Sequence, residues 1–173
     1  MTSFLIKAHE DRAPSSWTRT HADCPFCQII KNELPATRVF ENDLVVAILD
    51  ILPLRRGHTL VIPKVHFPRL SELPPKFSAA VGEAVTKVAH ALTLALDNTG
   101  LNVVCNQEYA QAVPHVHYHV IPAPTFGKQP PKAPSTDHAT LTQREMHQLE
   151  YEGRTELDDE DAAVLAEQIR SKL

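Results

Sequence analysis

Three of the chain's ten histidines, His115, His117 and His119, fall at every second position of residues 113–121, alternating with Val116, Tyr118 and Val120. β-Branched and aromatic residues on that alternation read as a strand. Its side-chain period of two sends the three imidazoles to one face, with their Cα atoms about 6.6 Å apart. An imidazole can attack phosphorus and carry a covalent intermediate when one ring nitrogen is fixed as a donor and the other keeps its lone pair. His117, central in the row, is where both neighbours can steer it. The alternative is a surface strand that uses His as its polar residue. His58 opens another strand that could run beside the row and offer a second imidazole for a phosphate or a leaving group. Asn106 and Gln111 bracket the loop before the row, and their amides can donate to phosphate oxygens. Asp50 ends an apolar run, where a carboxylate could hold two ribose hydroxyls; turn capping is the plainer role for Asp50 and Asn106.

A second group of reactive residues starts at Cys24-Pro25-Phe26-Cys27. Alone, this spacing is ambiguous between a redox pair, a metal half-site and two unligated thiols. His66 follows Cys27 by 39 residues and His115 follows His66 by 49. Two thiolates and two imidazoles make a closed tetrahedral zinc site of the structural kind. Such a site would take His115 out of the reactive row and leave His117 and His119 for chemistry. A third arrangement would have His115, His117 and His119 share a catalytic metal.

The elements that must position these groups are legible in order. Residues 1–22 are polar and aperiodic and read as an arm. A short helix is expected from Cys24 to Lys31, ended by Asn32 and Pro35. Strands are expected at 37–41 and 44–50, joined by an Asn42-Asp43 turn, and at 57–64. After Pro74-Pro75, apolar residues recur at the spacing of one helical face from Phe77 to Leu96, stopped by Asn98 and Gly100. Two more strands are expected at 101–106 and 113–121, with the compact part closing at Pro124. The pattern predicts an α+β domain over residues 23–124: a five-stranded, mainly antiparallel sheet with one long helix and a short N-terminal helix. Residues 125–173 read as a Pro-containing linker and an acidic, helical C-terminal extension, with helical patterns near 141–151 and 158–170.

Composition limits the classes further. The 173 residues are 43% hydrophobic and 22% charged, ordinary for one domain with some decoration. No unbroken apolar run reaches the roughly 18 residues of a membrane span, and Phe4-Leu5-Ile6 is far too short for a signal-peptide core, so an intracellular, cytoplasmic protein is expected. Three cysteines argue against a disulfide scaffold. The net charge of −4 comes entirely from residues 124–173, with six basic against ten acidic residues, because residues 1–123 carry eleven of each. No basic patch stands out, and duplex nucleic acid is not an expected partner.

The run from Gln111 through His115, His117 and His119 to Pro122 resembles the signature of the histidine triad (HIT) superfamily of nucleotide hydrolases and transferases. The resemblance extends through Arg56–Gly57–His58 to His66 and through 101–106, covering about residues 23–124, and Cys24-Pro-Phe-Cys27 resembles the zinc-containing bacterial and fungal members. It implies that His117 attacks the α-phosphorus of a nucleoside phosphate derivative and forms a nucleotidyl-histidine that water resolves. His119 and His58 would contact phosphate and help the leaving group, with Gln111 supporting both steps. Asn106 would hold phosphate, Asp50 the ribose, and Cys24, Cys27, His66 and His115 a structural zinc. The substrate class implied is a nucleoside 5′-phosphoramidate or related conjugate, a purine one by expectation. Dinucleoside polyphosphates, or nucleotide binding with little turnover, are the alternatives. A homodimer pairing the long helix and strand 101–106 is also implied. The chain departs from the family pattern at Ala110 and Ala112, where Gly and a hydroxyl residue are frequent. It also lacks the C-terminal Trp of the phosphoramidate-cleaving branch, its one Trp being Trp17. Ser171-Lys172-Leu173 would spell a peroxisomal address in a eukaryotic host.

Overall fold

A computed structural model of the protein describes residues 23–124 and 143–173. The arm with Trp17 and the Pro-containing linker lie outside the described residues. Helix α1 (Pro25–Ile30) starts with Pro at its first position and ends at Asn32, whose φ of +62° is the left-handed geometry Asn tolerates. Strands β1 (Arg38–Glu41), β2 (Val45–Leu49) and β3 (Thr59–Pro63) follow. The long helix α2 (Pro75–Leu96) leads to β4 (Leu101–Cys105) and β5 (Tyr118–Pro122), and helices α3 (Gln143–Glu152) and α4 (Asp159–Arg170) complete the chain.

The five strands form one sheet in the order β1-β2-β3-β5-β4, and every adjacent pair is antiparallel. Every residue of β2 and β3 is buried, because both faces of the sheet are covered. On one face Val45, Ala47, Leu49, Val61 and Val120 pack with α2 residues Val81, Ala84, Val88, Ala91 and Leu92. On the other, Val46, Ile48, Leu60 and Ile62 pack with Cys24, Phe26 and Cys27 around α1. The period of two thus sorts an all-apolar face from one that carries the cysteines and, through Leu60 opposite His119, the reactive strand.

Helix α2 is long and apolar enough, by length and composition, to cross a membrane, with a mean hydropathy of 1.2 over its most apolar window. Its buried residues lie against the sheet, and Lys76, Glu83 and Lys87 interrupt its outer side. That is the behaviour of a core helix in a sheet-and-helix domain.

Two sequence expectations change. The strand expected over 113–121 begins only at Tyr118. Pro114 has no N–H to give a ladder, His115 N–H turns back to the Val113 carbonyl (2.8 Å), and Val116 N–H goes to the Phe67 carbonyl (2.7 Å). The alternation argument therefore holds for His119 and fails for His115, which the bend carries elsewhere. Second, α4 is no appendage. Ala162, Leu165, Ala166 and Ile169, the i, i+3, i+4, i+7 positions of one face, are at most 3% exposed and join the core of α2 and the sheet. Burial of an aliphatic side chain contributes about 1.5–3 kcal/mol, so Leu165 and Ile169 tie the extension firmly to the domain. The Asp158 carboxylate caps α4 by accepting from the N–H groups of Glu160 and Asp161. Ser171, Lys172 and Leu173 donate their N–H groups to carbonyls of α4, winding the last tripeptide onto the helix end.

Candidate active site

His115 and His117 sit two residues apart on the bend before β5 and are held in opposite ways. The Nε2 of His115 lies 2.8 Å from the Pro63 carbonyl, so it carries the proton and Nδ1 keeps its lone pair. That lone pair faces Cys24 Sγ at 3.4 Å and Cys27 Sγ at 3.7 Å, and His66 Nδ1 is 3.3 Å from Cys27 Sγ. An ion with Zn–S near 2.3 Å and Zn–N near 2.05 Å at tetrahedral angles separates S from N by about 3.6 Å. The three S–N separations above match that spacing, and all four donor atoms cluster within 4.8 Å of one another. Burial, together with the neighbouring Cys24, pushes the Cys27 thiol up to about 12. Two adjacent buried thiolates require a bound cation, and these residues fit one.

His117 reverses the tautomer. Its Nδ1 is 2.6 Å from the carbonyl of His115 and donates to it, which leaves Nε2 with the lone pair. The ring is 3% exposed, with Phe26 of α1 edge-on at 5.1 Å and His119 at 4.9 Å between centroids. Burial first, then the His119 ring, hold His117 down at about 4, so it is neutral at physiological pH. A neutral imidazole with a fixed donor on one side is a poised nucleophile.

Beyond it the row continues through His119 and His58 to Asp50. Leu54 N–H donates to His58 Nδ1 (3.2 Å), so Nε2 carries the proton and donates to His119 Nδ1 at 2.9 Å. His119 is left with an Nε2–H, a hydrogen-bond donor in the site. Asp50 Oδ2 lies 3.4 Å from the same His58 Nδ1, an ion pair only for a charged ring; burial holds His58 at about 4, so the Leu54 bond prevails. Gly57 makes this placement possible: at φ +88° a Cβ there would stand 2.7 Å from Leu96 Cδ1, too close for a side chain.

The remaining expected residues are distributed unevenly. Asn106 directly follows Cys105, whose pairing with Tyr118 is the last of the β4–β5 ladder, and the Asn106 amide has no hydrogen bond among the described residues. Gln111 is 1% exposed and spends its amide on backbone. Its Oε1 accepts from Glu108 N–H (2.8 Å), and its Nε2 donates to the Pro68 carbonyl (2.9 Å) and, at 3.5 Å, to the His115 carbonyl that fixes His117. Asp50 Oδ1 accepts from Leu52 N–H. Sequence reasoning missed the Pro63 and His115 carbonyls and the Leu54 N–H, because backbone groups leave no mark in residue type. It also missed Arg55, which forms a double ion pair to Glu150 at 2.5 and 2.6 Å and pins α3 beside the loop 50–58.

A family model described as "HIT domain" matches residues 31–125. The chain is 40% identical over 102 residues to the adenylylsulfatase HINT3 of Arabidopsis thaliana, a match covering 58% of this chain and 52%, about half, of that relative. It is 38% identical over 109 residues to the adenosine 5′-monophosphoramidase HNT1 of Candida albicans, covering 60% of this chain and 72% of that one. Among solved structures, a zinc-bound histidine triad family protein from Mycobacterium smegmatis superposes with a TM-score of 0.67 at 29% identity, covering 88% of this chain and 94% of that one.

Proposed function

The chain belongs to the HIT domain family, and from that premise we propose that it hydrolyses nucleoside 5′-phosphoramidates or related purine nucleotide conjugates through a covalent nucleotidyl-histidine at His117. The observation that carries this reading is the 2.6 Å bond from His117 Nδ1 to the His115 carbonyl, which leaves Nε2 unprotonated in a buried, uncharged ring. The names of the relatives, an adenylylsulfatase and an adenosine 5′-monophosphoramidase, support an adenine nucleotide.

In the first step His117 Nε2 forms a bond to the α-phosphorus while the bond to the leaving group breaks. His119 Nε2–H hydrogen-bonds the departing atom, and His58, donating to His119 Nδ1, holds that ring in the required tautomer. Asn106, just past the end of β4, donates to a phosphate oxygen, and Asp50 accepts from ribose hydroxyls. Water then attacks the same phosphorus, releasing the nucleotide and restoring His117. Gln111 acts as a positioning residue through the His115 carbonyl. Cys24, Cys27, His66 and His115 hold a structural zinc, whose chemistry is cross-linking: it joins α1 to the segment after β3 and to the bend before β5. The half-exposed Leu94 of α2 and Val103 of the edge strand β4 supply an apolar surface for a homodimer.

Incubation with adenosine 5′-phosphoramidate, an alkaline quench and intact-mass measurement test the proposal. An added adenylyl mass that vanishes in His117→Ala is the expected result. Background turnover with no adduct would leave a nucleotide-binding protein, and a diadenosine polyphosphate turned over orders of magnitude faster would move the substrate class.

A further inference from the structure

The C-terminal extension reaches the candidate site of its own chain. Glu150 of α3 pairs with Arg55, and Leu157 N–H donates to the Ile51 carbonyl at 2.9 Å. Residues 150–157 therefore cross the loop 50–58, which carries Asp50 at one end and His58 at the other. Both ends of this strap are fixed, since α4 behind it is buried in the core. Arg154 lies between the two anchors. Its Nε donates to the Tyr151 carbonyl (2.8 Å) and its guanidinium stacks over the Tyr151 ring at 3.7 Å, which locks the side chain. Its two terminal nitrogens have no hydrogen bond or ion pair among the described residues. The positive charge is near enough to oppose protonation of His58.

Along the row His117, His119, His58, Asp50, the strap stands at the Asp50 end, away from the nucleophile. A preorganised guanidinium fork with its terminal donors unused is suited to a bidentate oxyanion. We propose that Arg154 binds a phosphate carried on the ribose of the substrate, so that the preferred substrates are nucleoside 5′-conjugates bearing a 2′- or 3′-phosphate. This rests on the reading of Asp50 as the ribose residue. It goes beyond that reading by assigning a residue outside residues 23–124 to substrate selection.

Calorimetric titration with 5′-AMP, adenosine 3′,5′-bisphosphate and adenosine 2′,5′-bisphosphate tests it without requiring turnover. At least tenfold tighter binding of one bisphosphate than of 5′-AMP is expected. The ratio should fall to near one in Arg154→Gln and be only partly kept in Arg154→Lys, which retains the charge but loses the fork. Equal affinities for all three ligands in the unmodified protein, or a preference that survives in Arg154→Gln, would overturn the proposal. Turnover of adenosine 5′-phosphoramidate, measured alongside, separates the two readings. Bisphosphate preference without any turnover would sink the hydrolase and leave the Arg154 site standing; turnover without preference would do the reverse.

Discussion

His115 and His117 are the same residue type, two positions apart, both almost fully buried, and the fold gives them opposite tasks. The difference lies in which carbonyl each ring meets. Pro63 takes the Nε2 proton of His115 and turns Nδ1 toward two sulfurs; the carbonyl of His115 takes the Nδ1 proton of His117 and frees Nε2. The two rings are also linked in series, because the backbone carbonyl of His115 orients the His117 ring. Chemistry here is assigned by backbone acceptors rather than by the side chains alone.

The largest effect that would test this contrast is loss of the nucleophile. His117→Ala should lower turnover by roughly 10⁴-fold or more, the scale of nucleophile removal in other enzymes, while metal content changes little. Turnover by His117→Ala within tenfold of the unmodified protein would end the contrast. Removing a ligand should do the opposite first. Cys27→Ser should reduce zinc from about one per chain toward none, and a loss of about 3 kcal/mol for a broken buried set would lower Tm by roughly 6–12 °C in a chain this size. Elemental analysis with thermal melting reads both. Full stability without metal would show that the four residues only happen to meet.

Acid distinguishes the row from the metal cluster more gently. His58 and His119 sit at about 4, each lowered first by burial, against 6.5 in the unfolded chain. Between those values the unfolded chain binds the extra protons, so the contribution of neutral burial is complete above about pH 6.5 and is lost as pH falls toward 4. Each such group adds a slope of at most about 1.4 kcal/mol per pH unit. Urea melts at pH 7, 6 and 5 should therefore show a shallower acid loss in His119→Asn than in the unmodified protein. Parallel curves would mean that these rings are not buried as neutral species.

Much of this was legible beforehand because it rests on local rules. Short apolar runs bounded by turn residues located β1 to β4, the i, i+3, i+4 face located α2, and Cys24-x-x-Cys27 with two distant histidines marked a donor set whose atoms do meet. The row was legible as composition but not as geometry, since alternation cannot reveal that Pro114 bends the chain before the strand begins. The face Ala162, Leu165, Ala166, Ile169 was visible as a helix, yet its destination was not, because a buried face does not name the surface that covers it. Arg154 belongs to no motif. Only the crossing of 150–157 over 50–58 brings it to the site.

The smallest predicted effect concerns the turn that carries Gln111 into place. Ala110 adopts φ +58°, as does Glu108, and a Cβ in that region crowds the following carbonyl at about 1–2 kcal/mol per residue. The turn is held all the same, because Gln111 Oε1 accepts from Glu108 N–H and Gln111 N–H reaches back to the Glu108 carbonyl. Ala110→Gly removes the steric cost but adds freedom to the unfolded chain, and the two partly cancel. The net expectation is a gain of roughly 0.5–1 kcal/mol with turnover unchanged within a factor of two. Chemical denaturation reads the gain. A loss of stability would mean that Ala110 is not held in the left-handed region in solution, and the placement of Gln111 behind the His115 carbonyl would lose its basis.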